Sequence, residues 1–106
     1  MIKVYIAHPY GGKEENKAKV EKIIKDLIAS DKRLSEEHLM GHAEYVYISP
    51  IHAFAFTDGT YLESINMCFA LLDGCNAIRM CGDWENSRGC NMEYAYAKAK
   101  GMHIYL

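Results

Sequence analysis

Apolar residues fall into four short runs separated by longer stretches of helical periodicity. Ile2 to Ala7 (IKVYIA) is β-rich and mostly apolar, as expected of a central strand buried on both faces. His8-Pro9-Tyr10-Gly11-Gly12 breaks it: Pro9 biases His8 away from helix, and the glycine pair allows a tight loop with exposed backbone N–H groups. From Lys13 to Ser30 the residues Val20, Ile23, Ile24, Leu27 and Ile28 recur at helical spacing with charges opposite, which predicts a helix. Asp31 to Ala43 is polar and reads as a loop with a helical turn near Glu36 to Met40. Glu44 to Ser49 (EYVYIS) is a second strand, stopped by Pro50. His52 to Thr60 reads as an aromatic loop with Asp58-Gly59 as a turn signal. Tyr61 to Asp73 carries Leu62, Ile65, Phe69 and Leu72 on one helical face, and Gly74 ends it. Ala77 to Cys81 is a third, buried strand. A third helix runs from about Arg88 to Lys100, capped by Gly101, and Met102 to Leu106 (MHIYL) is a fourth strand.

This alternation of strand and helix with short connections predicts an α/β fold. Right-handed crossovers make it a flavodoxin-like (Rossmann-like) three-layer sandwich with a parallel four-stranded sheet of order 2-1-3-4. Ligands in such sheets bind beyond the carboxyl ends of the strands, where the strand order reverses. Here that point lies between strands 1 and 3, flanked by the loops His8–Gly12 and Gly82–Arg88.

Composition narrows the class. A chain of 106 residues forms one domain. Its formal net charge of −2 carries no basic excess of the kind nucleic-acid binding needs. No apolar run is long enough to span a membrane. Met1 leads directly into strand-like sequence, so no secretory leader is expected, and the cytoplasm is the expected location. The four cysteines form no Cys-x-x-Cys pair and are expected to be reduced. Cys68, Cys75 and Cys81 read as small core residues, whereas Cys90, in the first turn of the third helix, is a candidate for a dipole-lowered thiol pKa. The five histidines lack zinc-ligand spacing, so no metal is expected.

Candidate chemistry concentrates in Gly82-Asp83-Trp84-Glu85-Asn86-Ser87-Arg88-Gly89-Cys90-Asn91-Met92-Glu93. A polar loop leaves a buried strand and ends in Ser-Arg-Gly, where a helix N-terminus forms. Unpaired N–H groups and the positive end of the helix dipole make an anion seat there. Ser87 adds a hydroxyl, which is also the helix N-cap, and Arg88 a charge. Glu93 lies six helical residues on, a rise of about 9 Å, comparable with the reach from a 5′-phosphate to the far side of its sugar. The chain has neither the Gly-x-Gly-x-x-Gly dinucleotide fingerprint nor a P-loop, and no nucleophile elbow for a Ser or Cys triad.

Val4-Tyr5-Ile6-Ala7-His8-Pro9-Tyr10-Gly11-Gly12, together with Asp83 through Gly89 and Glu93-Tyr94-Ala95-Tyr96-Ala97, resembles the nucleoside 2-deoxyribosyltransferase-like superfamily. The likeness spans nearly the whole chain and is closest to a small branch of unknown function. It implies one such domain over residues 1–106, with a covalent glycosyl mechanism that needs no cofactor. Glu93 would attack the anomeric carbon and release the base, and Tyr5 would hydrogen-bond near the nucleophile. A carboxylate suits an oxocarbenium-like transition state, as in retaining glycosidases. Serine at position 87 resembles the nucleotide N-hydrolases, which bind a 5′-phosphate, rather than the transferases, which place an acid there; a hydroxyl fits a phosphate that a carboxylate would repel. The expected phosphate seat is therefore Ser87, Arg88 and Gly89, with His8, Pro9, Tyr10 and Gly11 opposite. The expected ligand is a (deoxy)nucleoside 5′-monophosphate, either hydrolysed or used in transfer.

The superfamily's active members carry an aspartate in helix 2, eight residues before the start of strand 3, which helps protonate the leaving base. Counting back from Asn76 gives Cys68, so Asp83 or Glu85 is the candidate acid here. This departure sustains an alternative, a nucleotide-sensing module without turnover. A receiver-like domain with Asp83 as phospho-acceptor is disfavoured, because His8-Pro9 stands where an acidic pair should follow strand 1. Ser49 to Thr60, with Phe54 and Phe56, is a candidate base-contacting lid or oligomer surface. The resemblance also implies a homodimer or larger assembly.

Overall fold

The computed structural model describes residues 1–36, 44–55 and 61–106. The strands are β1 (Ile2–Ala7), β2 (Tyr45–Ile48), β3 (Ala77–Met80) and β4 (His103–Tyr105). The helices are α1 (Glu14–Glu36), α2 (Pro50–Ala53), α3 (Tyr61–Asp73) and α4 (Arg88–Ala99), with a 3₁₀ turn over Trp84–Asn86. All strand pairs are parallel, and the order is β2-β1-β3-β4 as the alternation predicts. The fold is flavodoxin-like.

Alternation along β1 sends successive side chains to opposite layers. Tyr5 and Ala7, with Ile78 and Met80 of β3, pack against Leu72, Cys68 and Leu71 of α3 and Cys90 and Ala97 of α4. Val4, Ile6 and Ala77 pack against Val20, Ile23, Ile24 and Leu27 of α1 and Ile51 of α2. Val4 to Ala7 are all at most 1% exposed, which is why β1 reads as a continuous apolar run. Among the described residues no helix is long and apolar enough to cross a membrane.

Two boundaries differ from expectation. The first helix continues past Ser30 to Glu36. Nothing in Asp31 to Glu36 breaks a helix, and Tyr47 of β2 donates to the Asp31 carboxylate, tying that turn to the sheet. Residues 37–43, which hold most of the expected helical turn at Glu36 to Met40, lie outside the described residues. Pro50 does not simply stop β2: it opens α2, with Ser49 as N-cap accepting from the His52 N–H, so the expected loop begins as a helical turn. The remainder of that loop, including Phe56 and Asp58-Gly59, lies outside the described residues. The end of α4 follows expectation. Gly101 sits at φ 72°, its N–H bonds Lys98 O and that of Met102 bonds Ala97 O, which is a Schellman cap.

Candidate functional site

Two loops meet beyond the carboxyl ends of β1 and β3. After β1, His8 is 8% exposed and its Nδ1 lies 2.7 Å from the Pro9 carbonyl. A carbonyl only accepts, so that nitrogen carries the proton. Gly11 and Gly12 both adopt left-handed φ, 58° and 74°, and reverse the chain into α1. The turn is closed by the Lys13 N–H on Tyr10 O and by the Asn16 side chain on the same carbonyl at 2.9 Å.

After β3, Gly82 is also left-handed, at φ 62°. A Cβ there would stand 2.6 Å from His8 Nε2, so the two loops interlock only because position 82 has no side chain. Asp83 accepts from the Asn86 side chain at 2.8 Å, and Trp84 stacks on Tyr94 with ring centroids 5.2 Å apart. The Asn91 amide reaches back from α4 to the carbonyls of Trp84, Glu85 and Ser87, at 3.5, 2.9 and 2.8 Å. Ser87 is the N-cap of α4: its backbone is extended and its hydroxyl oxygen accepts from the Cys90 N–H at 3.3 Å. The same hydroxyl also engages the Cys90 thiol.

Between these loops and the start of α1 lies an open cleft of about 460 Å³. The β1 loop contributes His8, Pro9, Tyr10 and Gly11; the β3–α4 loop contributes Asp83, Asn86 and Ser87. The third wall is Lys13, Glu15, Asn16 and Lys19.

A buried polar cluster lies in the layer where β1 packs on α3 and α4. The Tyr5 hydroxyl, on a fully buried side chain, donates to the carboxylate of Glu93, which is 6% exposed. The Cys68 thiol of α3 engages the same hydroxyl. Burial pushes the Glu93 carboxyl up to about 7, against the opposing pull of the Tyr5 hydrogen bond. The Tyr5 phenol is raised well above its ordinary value by burial and by the neighbouring carboxylate. Burial also raises the Cys68 thiol.

Most of the expected site residues therefore converge, in two groups. His8, Pro9, Tyr10, Gly11, Asp83 and Ser87 face the cleft, and Tyr5 and Glu93 pair beside it without lining it. Arg88 is exposed on the first turn of α4, and neither it nor Gly89 lines the cleft. Cys90 is a correction. It is 2% exposed and burial drives its thiol up to about 12, because desolvation outweighs the dipole and the Ser87 contact. The α1 wall was missed by sequence reasoning, although Lys13, Asn16 and Lys19 recur every third residue just after the glycine turn. Among the described residues no cluster of His, Cys, Asp and Glu is grouped to hold a metal ion.

The cleft can hold a polar ligand with an anionic group, and α4, whose N-cap lines it, also carries a desolvated carboxylate. None of the curated proteins compared with the chain matches it. A protein-family match covers residues 2–106, and the chain belongs to that family, described as "Domain of unknown function (DUF4406)".

Proposed function

We propose that the protein binds a (deoxy)nucleoside 5′-monophosphate in the cleft and cleaves its N-glycosidic bond, in the manner of the nucleoside 2-deoxyribosyltransferase-like superfamily. One observation carries the reading: the Glu93 carboxylate is buried and held by the Tyr5 hydroxyl, on the same helix whose N-cap, Ser87, borders the cleft. A Glu93 oxygen forms a bond to the anomeric carbon as the C–N bond breaks, and the electron pair leaves on the base nitrogen, which takes up a proton. Water then hydrolyses the glycosyl ester and restores the carboxylate, or another base accepts the sugar. Tyr5 orients Glu93 and favours its charged form. Asp83, exposed at the cleft, is the acid available to the leaving base. Glu93 does not line the cleft, so the reaction requires a conformational step that brings the sugar to it.

That same feature favours a second reading, a nucleotide-binding module without turnover. Cys68 supports it: it stands beside Tyr5 on the part of α3 where the resemblance places an acid in active members, and its raised thiol is a poor proton donor. Incubation with ribo- and deoxynucleoside 5′-monophosphates, followed by chromatography for free base, separates the two. Base release by the wild type that disappears in Glu93→Ala supports cleavage. Thermal stabilisation by a monophosphate without base release supports the binding module. If neither occurs, both readings fall.

A further inference from the structure

A phosphate entering the cleft meets a different cation from the one that the Ser-Arg-Gly sequence offers. Arg88 is outside the lining, whereas Lys13 and Lys19 are part of it. The backbone beneath Lys13 is fixed by its N–H on Tyr10 O at 3.1 Å and by the left-handed Gly11 and Gly12 before it. Asn16, between the two lysines, anchors the first turn of α1 to the same carbonyl. The salt bridges of the described residues join Lys22 to Asp26, His52 to Glu21 and Lys100 to Asp73, and none uses Lys13 or Lys19. Two lysines thus line one wall of the cleft, and Ser87 lines another.

Resting on the nucleotide-binding part of the proposed function, we infer that Lys13 and Lys19 receive the ligand's phosphate. They, and not Arg88, make the cleft select a nucleoside monophosphate over the nucleoside. A phosphate monoester carries a charge of about −1.5 to −2 near neutrality, which two lysines match. Lysine acts there as a mobile point charge rather than a fixed fork, suited to an open wall. The cleft also holds two carboxylates, Glu15 and Asp83. Glu15 shares the lysines' wall and opposes them, so both lysines are needed to hold a phosphate there, while Asp83 on the other loop can accept from hydroxyl or amino groups of the ligand. Because both lysines are exposed, their contribution is screened by salt.

The test is calorimetric. Wild type, Lys13→Ala/Lys19→Ala and Arg88→Ala are titrated with each common ribo- and deoxynucleoside 5′-monophosphate and its parent nucleoside, at low and at high salt. Thermal melts check that each variant folds. The double variant is expected to lose about 10-fold in monophosphate affinity, to bind nucleoside unchanged, and to lose most of the salt dependence. Arg88→Ala should stay within about 2-fold of wild type. A double variant that binds monophosphate like the wild type, an equal loss for the nucleoside, or a wild type that binds no monophosphate would each overturn the assignment. Base release is measured in parallel. If it proceeds without lysine dependence, the lysine assignment falls and the Glu93 chemistry stands; lysine-dependent affinity without base release gives the opposite result.

Discussion

The open cleft and the buried Tyr5–Glu93 pair share a helix but not an environment. Ser87, at the start of α4, looks onto a polar cleft whose other charged residues (Lys13, Glu15, Lys19 and Asp83) are exposed. Glu93, six residues on, is enclosed with Tyr5 and Cys68 and titrates near 7 rather than at the ordinary glutamate value of 4.5. Recognition groups that stay hydrated cost little to maintain, and their effect is screened and adjustable. A carboxylate stripped of water is more basic and more reactive towards a developing cation, and it destabilises the fold whenever it is charged. Placing both on one rigid helix fixes their spacing while letting each keep its own surroundings.

The largest expected effect breaks the pair and spares the cleft. Glu93→Gln should abolish base release, by about 1000-fold or more, with monophosphate affinity by calorimetry within a few-fold of wild type. A comparable loss of affinity would mean that the two regions are not separable. Next, base release should rise with pH as Glu93 ionises, with a midpoint near 7. Because the Tyr5 hydrogen bond holds the Glu93 carboxyl down, Tyr5→Phe should move that midpoint upward and slow the reaction by about 10- to 100-fold. An unmoved midpoint in the pH–rate profile would detach Tyr5 from the carboxylate.

Stability should expose the same contrast. With its folded pKa raised, Glu93 binds its proton more tightly in the native state than in the unfolded one. Its contribution is fully present below about 4.5 and is lost as pH rises through about 7. The change amounts to at most about 3 kcal/mol, and Glu93→Gln should flatten it in urea melts across that window. Gly82→Ala attacks the seam between the loops, where a left-handed φ and the 2.6 Å approach to His8 act together. It should cost about 1–3 kcal/mol, read from the urea midpoint. The smallest effect is Ser87→Ala, about 1 kcal/mol of stability from the lost cap with a several-fold loss in monophosphate affinity; an unchanged affinity would leave Ser87 as a cap alone.

Much of this was legible in the chain. The strand order followed from alternation and short connections, and Ser87 and Glu93 from a polar loop running into a helix at the switch point. The pairing of Tyr5 with Glu93 came only from the family resemblance, since a tyrosine between Val4 and Ile6 reads equally well as core. Periodicity predicts too short an α1 because its last turns are tied to the sheet by a contact from Tyr47 to Asp31, which local pattern does not encode. Cys90 misled because the dipole is visible in the sequence and the depth of burial is not. The lysine wall is not marked in the sequence, because cations early in a helix look like any solvated face, and its place at the cleft shows only in the fold, where Asn16 ties that helix to the β1 loop.

The grip of Asn91 on the carbonyls of Trp84, Glu85 and Ser87 has a consequence for how the protein ages. One amide nitrogen holds the loop that carries Asp83, Asn86 and Ser87 to the cleft. Deamidation would replace it with an oxygen of nearly the same size, turning three attractions into three repulsions between like oxygens. The lesion adds one unit of negative charge and removes no side-chain bulk, yet it strikes the backbone that carries the proposed ligand seat. Old preparations should therefore lose nucleotide affinity before they lose their fold, with an acidic satellite band marking the fraction lost.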